Sequence, residues 1–186
     1  MSLTNAQLQT LKADILADPT LANQPMTSAG ALAIAEAYSI VGSVDVWRTD
    51  AQVFQIIDAI NWVNYTPNDA ADNTATYTNR ALLAQTKQMN LQIMLQGRQT
   101  IDASKATIRA GLRDAVIQLP TGAGGALTSP GGASGANVLA ACTRKANRGE
   151  ALFATTQATT GATSAYIMTF EGSLTSDDVQ QARELP

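Results

Sequence analysis

Alanine constrains this chain more than any other residue. Of 186 residues, 33 are Ala, whereas Phe, Trp and Tyr together number only nine. Alanine has the highest intrinsic helix propensity and loses no side-chain entropy on folding. A chain so written favours helices that approach one another closely, with few large anchors between them. Apolar residues reach an ordinary 45%, but charged residues only 15%, against roughly a quarter in a typical soluble domain. The composition therefore predicts that neighbouring subunits supply part of the stability. The length fits a single domain over residues 1–186.

The helices are legible one by one. Thr4 with Gln7 has capping-box spacing, Leu8, Leu11, Ile15 and Leu16 follow at helical intervals, and Asp18-Pro19 stops the run. Thr27 or Ser28 starts a second helix with Ala31, Leu32, Ala35 and Tyr38 as its stripe and Ile34 flanking it. A third carries Val53, Phe54, Ile57 and Ile60, and a long one runs from about 76 to 96 with Leu83, Leu91, Met94 and Leu95 inward. Asp102 or Ser104 caps the next, faced by Ile108, Leu112 and Leu119, and a last large helix is expected over 136–153. Alternation of apolar and polar residues marks strands near 44–49 and 165–170, and an N-cap followed by acids at 175–178 marks a short terminal helix. The expected fold is mainly α, a bundle of five to six helices with a small β element. Segments near 66–74, 121–135 and 155–164, rich in Asn, Thr and Gly, are expected to be flexible or to order on assembly.

Chemistry is more easily excluded than assigned. The chain has no His, which removes the commonest general base and metal ligand, and one Cys, which makes neither an internal disulfide nor a zinc site. No Lys has Ser three residues before it, and the Gly-rich 122–135 stretch lacks the endings of phosphate-binding loops. Cys142, on a predicted helix, reads as a small packed residue. No secretory leader and no membrane span are expected. The chain is read as a non-enzyme without cofactor or metal.

Charge is segregated. Residues 1–79 carry eight acids and two bases, residues 80–149 nine bases and two acids, and residues 150–186 five acids and one base, within a net charge of −3. Lys105, Arg109 and Arg113 recur at i, i+4, i+8, and Arg144 and Arg148 repeat that spacing. Such a basic stripe serves either as a face paired with acidic surfaces of the same or a neighbouring subunit, or as a sequence-neutral contact with DNA. Trp47, Arg48 and Trp62 are anchors, of the core or of an interface, because Trp and Arg are enriched where interfaces are strongest.

Four stretches carry a resemblance: Val46-Trp47-Arg48-Thr49, Ile108-Arg109-Ala110-Gly111-Leu112, the run from Thr143 through Thr155, and Met168 through Leu174 followed by Asp178-Val179-Gln180-Gln181-Ala182-Arg183. In that order, after an N-terminal helix of the Leu3-Thr4-Asn5-Ala6-Gln7-Leu8 type, they resemble a family of small tailed-bacteriophage and prophage virion proteins. The Thr-rich 154–161 stretch departs from the family's Gly-containing turn. The resemblance implies a virion structural component assembled in the bacterial host cytoplasm. Its expected form is a neck head-to-tail connector, or adaptor. Such a subunit forms a ring, a dodecamer by analogy with connectors, between the portal and other neck and tail proteins. The alternatives are a tail-completion or capsid-decorating protein, and a non-catalytic DNA-binding accessory protein.

Overall fold

The computed structural model describes residues 3–65, 75–119 and 133–186. The described elements run α1 (Asn5–Ala17), α2 (Pro19–Ala22), α3 (Ser28–Tyr38), β1 (Val41–Trp47), β2 (Ala51–Gln52), α4 (Val53–Asp58), a 3-10 turn (Trp62–Tyr65), α5 (Ala75–Leu95), β3 (Thr100–Ile101), α6 (Ala106–Val116), α7 (Ala133–Ala141), β4 (Thr143–Asn147), α8 (Arg148–Leu152), β5 (Ala154–Thr160), β6 (Thr163–Met168) and α9 (Ser176–Glu184). Among the described residues helix accounts for 55% and strand for 19%. The expected mainly helical bundle is therefore corrected to a mixed α/β fold. Its sheet has the order β4-β1-β6-β5, with β1 parallel to β6 and Val46 opposite Tyr166. The two strands read from the sequence correspond to β1 and β6; β4 and β5 of this sheet were missed, as was the short β2–β3 pair.

Both omissions have local causes. The helix expected over 136–153 breaks after α7. There the Cys142 N–H turns back to the Leu139 carbonyl at 3.0 Å, and the Thr143 hydroxyl donates to the Ala140 carbonyl. Asn147 then caps α8, accepting from the Glu150 N–H at 2.7 Å while the Glu150 carboxylate accepts from the Asn147 N–H. A capping box inside an apparently continuous helical pattern starts a new helix. In β5, Ala-Thr-Thr-Gln-Ala-Thr-Thr reads as loop by polarity, yet β-branched Thr suits a half-exposed pleated strand. Gly161, at φ 60°, turns the chain from β5 into β6 in two residues, as a hairpin with a positive-φ first position requires. Of the three segments expected to be flexible or to order on assembly, 155–164 forms this hairpin, whereas 66–74 and nearly all of 121–135 lie outside the described residues.

By its internal contacts the chain divides into two compact units. Unit 1 comprises Met1–Val46, Lys145–Thr156 and Tyr166–Pro186. Here α1 and α3 pack on α9, burying Leu11, Ile15, Ile34, Tyr38 and Val179 completely or nearly so. The Thr4–Gln7 capping box forms as expected, and Thr175 with Asp178 forms another on α9. Two expected stripe residues face water instead: Leu16 of α1 is 63% exposed, and in α3 the flanking Ile34 is buried while Leu32 is 51% exposed. Unit 2 comprises Trp47–Arg144 and Gln157–Ala165. There α6 packs on α5 and α7, and α4 packs on α7. Charge follows this division: unit 1 holds nine acids and four bases, net −5, and unit 2 six acids and eight bases, net +2.

Candidate interaction surface

Trp47 closes β1 and is fully buried. Its indole N–H donates to the Ala158 carbonyl at 3.0 Å, and the Arg109 guanidinium lies 4.7 Å from its ring centroid. Arg109 itself is only 3% exposed. Its Nε donates to the Thr160 hydroxyl at 3.1 Å, and Nη1 to the Ala103 and Ser104 carbonyls at 2.8 and 2.6 Å. Burial lowers its pKa from the usual guanidinium value. A cation so enclosed is tolerated because acceptors and an aromatic face replace water.

The remaining bases of the predicted stripe are placed differently. Lys105 is exposed and pairs with Asp102 at 3.4 Å. Arg113 is half-buried, its Nε enclosed without an acceptor close to the Gly161 turn. Lys105 precedes α6 as its extended N-cap residue, whereas Arg109 and Arg113 lie on the helix, with Arg109 turned inward. Arg148 starts α8 whereas Arg144 lies on β4, so their four-residue spacing does not put them on one helix. Within unit 1, Arg148 bonds Asp18 at 2.9 Å and Asp14 at 3.0 Å and lies 4.8 Å from the Tyr38 ring centroid. The Tyr38 hydroxyl donates to Asp14, and burial with that carboxylate raises its pKa. The Arg148 bond holds the Asp18 carboxyl below its ordinary range. Arg48 reaches Asp50 at 3.1 Å and Gln55 at 3.0 Å, and likewise lowers the Asp50 carboxyl. Cys142 is a free, fully buried thiol whose pKa burial pushes up to about 12.

Trp62 has the opposite fate to Trp47. It is 44% exposed, with its indole N–H on the Ile57 carbonyl at 3.2 Å and its ring 5.6 Å from that of Tyr65. With Val53, Ile57, Leu91 and Leu95 it walls a groove of about 360 Å³, bordered by glutamines of α5. No residue lining the groove is titratable. It can bind, but it offers no general acid, base or nucleophile. Phe54 and Val63 extend the apolar surface beyond it at 60% and 70% exposure.

Helix α5 adds a second apolar face. Ala84, Leu91 and Leu95 point into unit 2, while Leu82, Met89 and Ile93 face solvent at 55%, 60% and 66% exposure. The outer three recur at i, i+7, i+11, close to one line on the side of the helix opposite the buried three. A helix apolar on two sides is expected only where both sides are covered. This signal was legible in the sequence. It was missed because Leu83, Leu91, Met94 and Leu95 already supplied an inward stripe.

Among the described residues no three acids or cysteines gather to hold a metal, and no helix is long and apolar enough to cross a membrane. No family model, curated protein or solved structure matches the chain.

Proposed function

We propose that the chain is a structural subunit of a tailed-phage virion, acting by assembly and without catalysis. Its specific role in this reading is that of a neck connector ringed between portal and tail. The observation that carries the assembly reading is the exposure of large apolar side chains at two places on unit 2, around the uncharged groove at Trp62 with Phe54 and Val63, and along the outer stripe of α5. Groups of large apolar side chains left in water mark interaction sites. The division of charge between the units supports the same reading, since opposed fields steer association and set its orientation. The placement in a phage neck rests on the resemblance of the quoted stretches.

The nucleic-acid alternative draws less support, because Arg109, central to the basic stripe, is buried and directs its Nε and Nη1 donors to acceptors inside unit 2. The test is co-assembly: the purified chain is mixed with portal rings and the products are imaged by electron microscopy. The proposal expects an added ring on one end of the portal. Free portal beside unbound chain would contradict the neck role, and a copy number per particle in the hundreds would point to capsid decoration.

A further inference from the structure

We propose that α4 of one copy, through Phe54 and Asp58, docks in a groove of unit 1 of the next copy lined by Lys12 and Arg183. The inference rests on the assembly reading and names both halves of one junction. Unit 1 has four bases. Lys145 pairs with Asp45, and Arg148 with Asp14 and Asp18. Among the described residues, Lys12 and Arg183 reach only main-chain carbonyls: Lys12 that of Leu185, and Arg183 those of Pro25 and Gln24 at 3.0 and 2.6 Å. An ammonium has three donors and a guanidinium five, so both cations keep donors to spare. They line the same groove of about 220 Å³, beside Leu16 and Met26, which are 63% and 67% exposed. A cavity of about 150 Å³ already admits a benzene ring. The groove therefore suits an apolar side chain with a carboxylate beside it. That pair stands on α4. Phe54 is 60% exposed and Asp58 is exposed, and their i, i+4 spacing puts them on one helix face. Asp58 has no hydrogen-bond or ion-pair partner among the described residues. It is the last residue of α4, where the helix's own carbonyls repel a carboxylate until a cation meets it. A similar pair, Leu32 and Glu36 on α3, belongs to unit 1 itself. Docking it in the groove would set −5 against −5, whereas α4 brings unit 2, at +2, against −5. Because groove and α4 lie on different units of one chain, the junction is heterologous, and it propagates into a ring or an open filament rather than stopping at a dimer.

The test uses three full-length variants, Asp58→Lys on α4, Leu16→Glu in the groove and Glu36→Lys on α3. All three sites are exposed, so each variant should melt within about 2 °C of wild type, as surface substitutions do. Asp58→Lys sets a third cation against two, and Leu16→Glu gives Lys12 a carboxylate one turn away and takes the charge the groove offers. The proposal predicts that each of these two weakens association at least about tenfold, read as the concentration at which the mass rises, while Glu36→Lys stays within about twofold of wild type. If Glu36→Lys dissociates the oligomer and Asp58→Lys does not, α3 is the occupant, the proposal is overturned and assembly stands. If Asp58→Lys dissociates it while Leu16→Glu leaves it intact, the groove is wrong and the proposal is overturned. If all three keep the wild-type mass, the junction lies elsewhere and the proposal is overturned with assembly intact. A wild-type chain that is monomeric at all concentrations, alone and with portal, overturns the junction and the assembly reading together.

Discussion

At the scale of single residues, Arg109 separates the readings of the basic stripe. Replacing it with Met removes a buried cation and leaves the Ala103 and Ser104 carbonyls without their donor. The expected loss is about 3 kcal/mol, read as a lower urea midpoint. Lys105→Met, at an exposed ion pair, should change stability by less than about 0.5 kcal/mol. A nucleic-acid face would give the opposite result, with both variants stable and both weaker on DNA. Asp18 supplies a pH dependence. Its folded pKa is depressed by Arg148, so the stability it contributes is complete above its unfolded value near about 3.9 and fades as pH falls through the lower folded value. Arg148→Met should therefore be less stable than wild type above about pH 5, with the gap narrowing toward about pH 2. Acid titration of the two proteins by circular dichroism measures it, and a gap constant across that range would refute the linkage.

At the scale of elements, the β5–β6 hairpin depends on its turn. Gly161 sits at φ 60°, and a Cβ added there would lie 3.0 Å from the Arg113 Nε. Gly161→Ala should destabilise unit 2 by about 1–2 kcal/mol through the left-handed backbone alone. Thermal unfolding followed through Trp47, buried beside Ala158 of β5, reports it directly; an unchanged midpoint would mean the turn relaxes at no cost. The same region shows where sequence reasoning stopped. Helices with a side-chain cap at their start, such as α1 at Thr4 and α9 at Thr175, were legible because the cap and the periodic stripe agree. Strands β4 and β5 were not, because neither alternates cleanly: β4 is a basic pentapeptide and β5 is mostly Thr. The strand state of β4 is fixed by β1, distant in sequence, and that of β5 by its hairpin partner β6; neither pairing is reported by local propensity. The candidate surface was half legible. Trp62 stood out as an anchor in a chain with two Trp. Phe54 and Ile57 did not stand out, because an apolar residue at helical spacing reads as core unless the opposite face is seen to be filled.

At the scale of the whole molecule, the account rests on one physical mismatch. A chain with few charges has gathered exposed apolar residues on α4, the 3-10 turn and α5 of unit 2, and has divided its net charge between two units. Free in water, exposed apolar surface forfeits stabilisation of about 25 cal/mol per Å² relative to a covered one. The central claim is that another subunit covers it. The most direct measurement is the mass of the purified chain by light scattering across a concentration series, at low and moderate salt, alone and with portal added. The account predicts a mass that rises from 19.4 kDa to a closed multiple of that value with concentration or on meeting portal, and less readily at higher salt. A mass fixed at 19.4 kDa under every condition would contradict it.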